Sequence, residues 1–288
     1  MFINYILDYL DGKKKNKLLL QLLNYHSKYR KKYPNLISPT FDYISSACSV
    51  FGMYEMEELE CVKKILKKNC RNKYVVDCGA NYGNHTLFFS KFAKGVFAFE
   101  PNFITHECLR LNTWNNKKIK IYNYGLLDKN VKKKFYSVSG NLGASSIYKK
   151  QNSSSTVCNF RKLDSFREIL NKNISLIKID VEDAEFKLIK GAKKILKKNP
   201  IILFEISNPS VNDKFHKILK KKFQYKFLYV LKKKNFSKGN IVLNILYKFI
   251  DSIKNKSTDN KFTINLVNSV SERSGNSHFA ILSKNELI

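Results

Sequence analysis

Short, wholly apolar runs alternate along this chain with longer stretches in which apolar residues recur every three or four positions. The runs near 74–77, 96–100, 119–123, 176–180, 201–206, 225–230 and 278–282 read as strands buried on both faces. The stretch Glu55–Lys68 opens with Glu55, Glu57 and Glu58 and closes with Lys63, Lys64, Lys67 and Lys68, the order that a helix dipole favours. In His85–Ala93, Leu87, Phe88 and Phe92 share one helical face, and in Ala184–Leu196 the stripe is Phe186, Ile189, Ala192 and Leu196. Strands separated by such helices predict an α/β fold, a mostly parallel seven-stranded sheet flanked by helices.

Punctuation divides the chain. Residues 1–53 form a basic, partly helical extension, with Leu18, Leu22 and Tyr25 at helical spacing before Pro34 and Pro39 break the pattern. Residues 54–288 carry the main domain, and about 132–161 read as a hairpin-like insertion. Its strand-like pieces, Lys134–Val138 and Ser155–Phe160, flank Gly140, Gly143 and a serine cluster. The loop Ser139–Ser146 is a plausible substrate gate, since closing loops exclude water during transfer chemistry.

Candidate chemistry begins where the first strand ends. Val75–Gly83 reads Val-Val-Asp-Cys-Gly-Ala-Asn-Tyr-Gly, so the strand delivers Asp77 to a turn carrying Gly79 and Gly83. This is not the G-x-G-x-x-G order that receives a pyrophosphate. An acid at the strand end repels phosphate and suits a ligand with an ammonium group and ribose hydroxyls, which describes S-adenosyl-L-methionine. Glu100 ends the second strand 23 residues later, near the spacing at which a carboxylate meets ribose hydroxyls.

Several blocks in order now resemble the FkbM family of S-adenosylmethionine-dependent methyltransferases. They are VVDCGANYGNHTLFFSKF, VFAFEPN, NYGLLD at Asn123–Asp128, NLGASSI at Asn141–Ile147, KLDSF at Lys162–Phe166, LIKIDVEDAEFKLIKGA at Leu176–Ala192 and IILFEI at Ile201–Ile206. The resemblance spans roughly Tyr74–Ile206. It implies a class I (Rossmann-like) methyltransferase fold, S-adenosyl-L-methionine as cofactor, and Asp77, Gly79, Ala80, Asn81, Gly83, Glu100 and Asn102 as its binding positions. It also implies O-methylation, often of sugars in glycans or of small-metabolite hydroxyls. One departure stands out: the family usually reads D-V-E-G-A-E, and Asp183 occupies the glycine position here. Aspartate enters left-handed backbone more readily than most residues, so either the turn is kept or the pocket is altered.

The fourth strand delivers Asp180, with Glu182 and Glu185 just beyond, to the sheet edge where open parallel sheets bind ligands. A carboxylate there can take the proton of an acceptor hydroxyl, Asp180 first and Glu182 second, or the acids can hold a divalent cation. Glu185 also fits the first turn of the following helix. Glu205, ending the next strand, is a candidate substrate contact, and Tyr54 and Glu55 could close over the methionine end of the cofactor. His85 lies beside the glycine loop, in a cap or packing role, and His278 precedes the last strand, where it could face substrate. The chain lacks a D/N-P-P-Y element, which argues against base methylation.

Composition adjusts this picture. Lys and Arg total 53 against 23 acids, a net charge of +30 that would ordinarily raise nucleic acid as a partner. Only six of those residues are Arg, the preferred residue for bidentate phosphate contacts, so a small-molecule or glycan acceptor is expected instead. An RNA methyltransferase and a non-catalytic module on the same fold stay open as alternatives. The six cysteines form no C-x-x-C pair, there is no run of about 18 apolar residues, and Met1–Leu10 lacks signal-peptide features, so a cytoplasmic protein with reduced thiols is expected.

Overall fold

The computed structural model describes residues 36–39, 42–45, 48, 53–206, 209–233, 262–268 and 279–287. In chain order the elements that carry the site are α1 (Met56–Asn69), β1 (Tyr74–Cys78), α2 (Asn84–Ser90), β2 (Gly95–Phe99), α3 (Phe103–Thr113) and β3 (Ile119–Tyr122). A side unit follows: β4 (Gly125–Leu126), β5 (Val131–Val138) and β6 (Ser153–Arg161). Next come α4 (Arg167–Leu170), β7 (Ile174–Ile179), α5 (Glu185–Lys190), α6 (Lys193–Leu196), β8 (Ile201–Glu205), α7 (Pro209–Phe223), β9 (Phe227–Lys233), β10 (Phe262–Val267) and β11 (Phe279–Ser283).

The main sheet has eight strands in the order β10-β9-β11-β8-β7-β1-β2-β3. From β8 through β7, β1 and β2 to β3 all pairs are parallel, while β11 runs antiparallel between β8 and β9, and β10 antiparallel on β9. The chain winds outward from β1 to β3 and returns to the other side of β1 with β7. The carboxyl ends of β1 and β7 therefore flank a switch point, where an open α/β sheet leaves a crevice.

Alternation builds the core on both faces. Val76, Phe97, Ile177, Ile179 and Phe204 pack one way with Leu188, Ile195 and Phe215. Val75, Val96, Leu176 and Leu203 pack the other way, under Leu59, Val62 and Leu66 of α1 and Phe88 and Phe89 of α2. Each such buried side chain contributes roughly 1.5–3 kcal/mol. The side unit is separate: β5 and β6 pair antiparallel, β4 runs parallel to β6, and Phe135, Phe160, Ile147 and Leu127 form a small core beside the crevice.

Two features depart from the pattern read in the sequence. The sheet has eight strands rather than seven, the added one being β10. It lies at the sheet edge with Ile264 half-buried and Leu266 57% exposed, so its residues alternate weakly and no apolar run announces it. The helix expected over 184–196 is two, α5 and α6, parted at Gly191. There the backbone passes so near Leu127 that an added Cβ would lie 2.0 Å from its carbonyl oxygen. His278, Leu18, Leu22, Tyr25 and Pro34 lie outside the described residues.

Candidate active site

After β1 the chain must leave the sheet at once, and three left-handed residues do this: Gly79 at φ 82°, Asn81 at φ 49° and Gly83 at φ 92°. Only glycine serves at 79, because a Cβ there would stand 1.8 Å from the Asp180 carbonyl oxygen. Gly79 N and Ala80 N both donate to Phe99 O, at 3.0 and 2.9 Å, tying the loop to the end of β2. Beyond that end, Glu100 accepts from Asn81 N at 3.0 Å and from Asn102 N at 2.9 Å, one bond to each carboxylate oxygen. Burial raises the Glu100 proton affinity above the ordinary carboxylate range, and these amide donors oppose the rise. The Asn102 side chain caps α3 through Ile104 N at 2.9 Å and donates to Ser137 Oγ on β5 at 2.8 Å.

Strand register assembles the charged centre. Asp77 is directly paired with Lys178 across β1 and β7, and Asp180 follows Lys178 by two residues on the same face. Ile179 pairs Phe204, so Asp180 and Glu205 are the next neighbours beyond the ladder. The Lys178 ammonium, 3% exposed, donates to Gly79 O at 2.9 Å and lies 2.9 Å from Asp180 Oδ2 and 3.5 Å from Asp77 Oδ1. Thr86 Oγ1 donates to Asp77 Oδ2 at 2.6 Å. Burial would depress Lys178, but the Asp180 and Asp77 carboxylates outweigh it and hold the lysine above its ordinary value. Burial likewise works against an ionised Asp180, yet Lys178 and a hydrogen bond from Glu205 keep it below the usual range. The Asp180 charge and burial push Glu205 up to about 10, so the Glu205 carboxyl keeps its proton and donates it to Asp180.

A pocket opens between Glu100 at one end and Asp180, Glu205 and Glu55 at the other. Of the residues singled out in the sequence, Tyr54, Glu55, Gly79, Asn81, Glu100, Asp180, Glu182 and Glu205 line it. Asp77, Ala80, Gly83 and Asn102 stand behind, shaping the loop and the cap, and Glu185 is 4% exposed beneath the β7 turn. That turn places Glu182 at φ 49° and Asp183 at φ 73°. Asp183 N donates to Glu185 Oε1 at 3.2 Å, and burial pushes Glu185 up to about 7. Glu182 is claimed by the side unit: Lys150 Nζ donates to its carboxylate and Ser146 Oγ to its carbonyl, both at 2.6 Å.

The wall also draws on residues that no spacing rule marks. Tyr43, Ile44 and Phe160 are such residues, and Asn141–Ser145, within the loop 139–146 read in the sequence as a gate, complete that side. Tyr43 N donates to Gly140 O at 3.0 Å, and Leu142 N to Asp42 Oδ2 at 2.7 Å, so the segment around Tyr43 and this loop make one continuous wall. Among the described lining residues there are five acids and no Lys, Arg or His.

Asp180, Glu182 and Glu205 bring carboxylate oxygens within 4.8 Å of one another. Two of the three already have a cationic partner, Lys178 for Asp180 and Lys150 for Glu182.

A model of the methyltransferase FkbM domain matches residues 77–229. No curated relative matches the chain. Among solved structures, the chain is similar to the precorrin 8W decarboxylase of Methanobacterium thermoautotrophicum, with 12% identity over 87% of this chain and 94% of that one and a TM-score of 0.42. It is similar also to a SAM-dependent O-methyltransferase of Thermotoga maritima, with 10% identity over 85% and 71% of the two chains and a TM-score of 0.41. A third is an rRNA methylase of Streptococcus thermophilus, with 12% identity over 78% and 93% and a TM-score of 0.40. Among the described residues no helix is long and apolar enough to cross a membrane.

Proposed function

The chain belongs to the FkbM methyltransferase family, and from that premise we propose that it transfers a methyl group from S-adenosyl-L-methionine to a hydroxyl of an uncharged acceptor, a sugar or a small metabolite. The observation that carries this reading is the pocket itself, which runs from the ribose-type carboxylate Glu100 to the carboxyl cluster at the ends of β7 and β8.

The residues fit the cofactor. Gly79 lets the backbone come close, Glu100 keeps lone pairs beyond its two amide bonds for a ribose diol, and Asn81 Oδ1 is buried in the loop with no hydrogen-bond partner. When bound, S-adenosyl-L-methionine supplies an electrophilic methyl carbon on a sulfonium. Asp180, kept ionised by Lys178, accepts a hydrogen bond from the acceptor and orients it. Asn141–Ser145 close the side of the pocket and exclude water. Acid-only lining favours hydroxyl-rich acceptors over phosphorylated ones, because the carboxylates accept hydrogen bonds and repel anions.

S-adenosylhomocysteine at 100 times its Kd should stabilise the wild type by about 2.7 kcal/mol, a shift of several degrees. Glu100→Ala should lose that shift, and methyl transfer from labelled donor to a panel of methyl glycosides should vanish in Asp180→Asn. No shift in the wild type would end the methyltransferase reading. The net charge of +30 supports an RNA acceptor as a second reading. That reading requires RNA affinity that falls steeply with salt, and a flat dependence would remove it.

A further inference from the structure

Asp180 orients an acceptor hydroxyl but is poorly suited to take its proton, since one oxygen faces the Lys178 ammonium and the carboxylate already receives the Glu205 hydrogen. A second carboxylate at the same end of the pocket has neither handicap. Glu55 lines the pocket together with Asp180 and Glu205, and its side chain is only 9% exposed. His85 lies against it, with Nε2 3.1 Å from Glu55 Oε2, in a contact that does not have the geometry of a hydrogen bond.

The backbone around Glu55 is built to hold it there. Glu55 sits at φ 54°, ψ 34°, a left-handed conformation that costs a residue with a Cβ roughly 1–2 kcal/mol, at the head of α1. Its side chain makes no capping bond to that helix, so the cost is not repaid by a cap. What fixes the turn is α2, the helix that leaves the glycine loop. Asn84 Oδ1 accepts from Tyr54 N at 3.1 Å and Asn84 Nδ2 donates to Tyr54 O at 2.9 Å, bracketing the residue before Glu55 from both sides. His85, the next residue, reaches Glu55 itself while its ring packs on Phe89 and Phe279 at 6.0 and 5.6 Å. The segment that forms the cofactor loop thus also aims a strained, buried carboxylate at the opposite end of the pocket.

We propose that Glu55 faces the transferring methyl and is the catalytic proton acceptor for the acceptor hydroxyl, with His85 as its positioning residue. This rests on the methyltransferase reading above. As the acceptor oxygen bonds to the methyl carbon, the carbon–sulfur bond breaks with its electron pair going to sulfur. The hydroxyl proton passes to Glu55 Oε and returns to water when product leaves. The sulfonium charge is consumed and one proton is released, so the step balances.

Sinefungin tests the placement without an acceptor, because it carries an ammonium where the donor carries its sulfonium methyl. Isothermal titration of the full chain with sinefungin and with S-adenosylhomocysteine gives the ratio of the two affinities. The wild type should prefer sinefungin, and Glu55→Gln should cut that preference about tenfold while changing the S-adenosylhomocysteine Kd less than twofold. His85→Gln, which leaves the carboxylate but frees it, should cut the preference less. An unchanged ratio in Glu55→Gln overturns the proposal, whereas no S-adenosylhomocysteine binding in the wild type overturns the methyltransferase reading instead. Should Glu55→Gln not fold, Glu55→Asp keeps the charge and draws it back by one carbon. It should likewise lose the preference, and retention of the wild-type ratio would overturn the placement.

Discussion

Lys178 holds Asp180 in place: the ammonium lies 2.9 Å from Asp180 Oδ2, and two residues of strand spacing put both groups on one face at the carboxyl end of β7. The same ammonium is 3.5 Å from Asp77, so a single buried cation serves one buried anion and one that is partly exposed. Lys178→Met should therefore cost about 3–5 kcal/mol, because it leaves the fully buried Asp77 carboxylate without its cation. Adding Asp180→Asn should recover part of the loss. Denaturant midpoints of the three proteins measure this, and full additivity of the two substitutions would show that the pair is not coupled.

Glu205 sets a pH dependence. Its folded proton affinity, about 10 against an ordinary 4.5, means that between those values the native chain binds more protons than the unfolded one. Stability from this group is complete below about 4.5 and is lost as pH rises toward 10. Asp180 shifts the opposite way, so its contribution changes only below the ordinary 3.8. Glu205→Gln keeps the donor to Asp180 without the proton equilibrium. Its stability relative to wild type should rise steadily from pH 5 to pH 9 in thermal unfolding, and parallel curves would refute the assignment.

Asp183 stands at φ 73° where the family usually has glycine. Asp183→Gly removes the Cβ strain and adds unfolded-chain entropy, and the first effect is the larger at a left-handed position. A gain of roughly 0.5 kcal/mol is expected, whereas Asp183→Val should lose about 1–2 kcal/mol. Chemical denaturation of the two variants checks the order.

How much of this could be read from the chain depends on whether a feature is local. β1, β2, β7 and β8 are apolar on both faces, so an unbroken apolar run marks each. β10, with Leu266 facing out, carries no such mark. The turn at Asp77–Gly83 and the carboxylate at Glu100 show themselves through spacing along one strand–helix–strand unit. The alignment of Asp77, Lys178, Asp180 and Glu205 exists only once three strands are in register. Lys178 in particular reads in sequence as an interruption of an apolar strand, not as the centre of a charge network. Contacts such as Asp42 with Leu142, 100 residues apart, depend on where the loop after β5 comes to rest, which no periodicity encodes.

The contrast between envelope and pocket bears on how fast a cofactor is caught. A chain of net charge +30 holds a pocket whose charged lining, among the described residues, is entirely acidic. At long range such an envelope repels a cationic donor, and only inside the mouth do Asp180 and its neighbours draw it in. Salt at 0.1 M screens the outer repulsion over about 10 Å and leaves the buried carboxylates almost untouched. Stopped-flow association of sinefungin should accordingly quicken with added salt, the reverse of ordinary electrostatic steering.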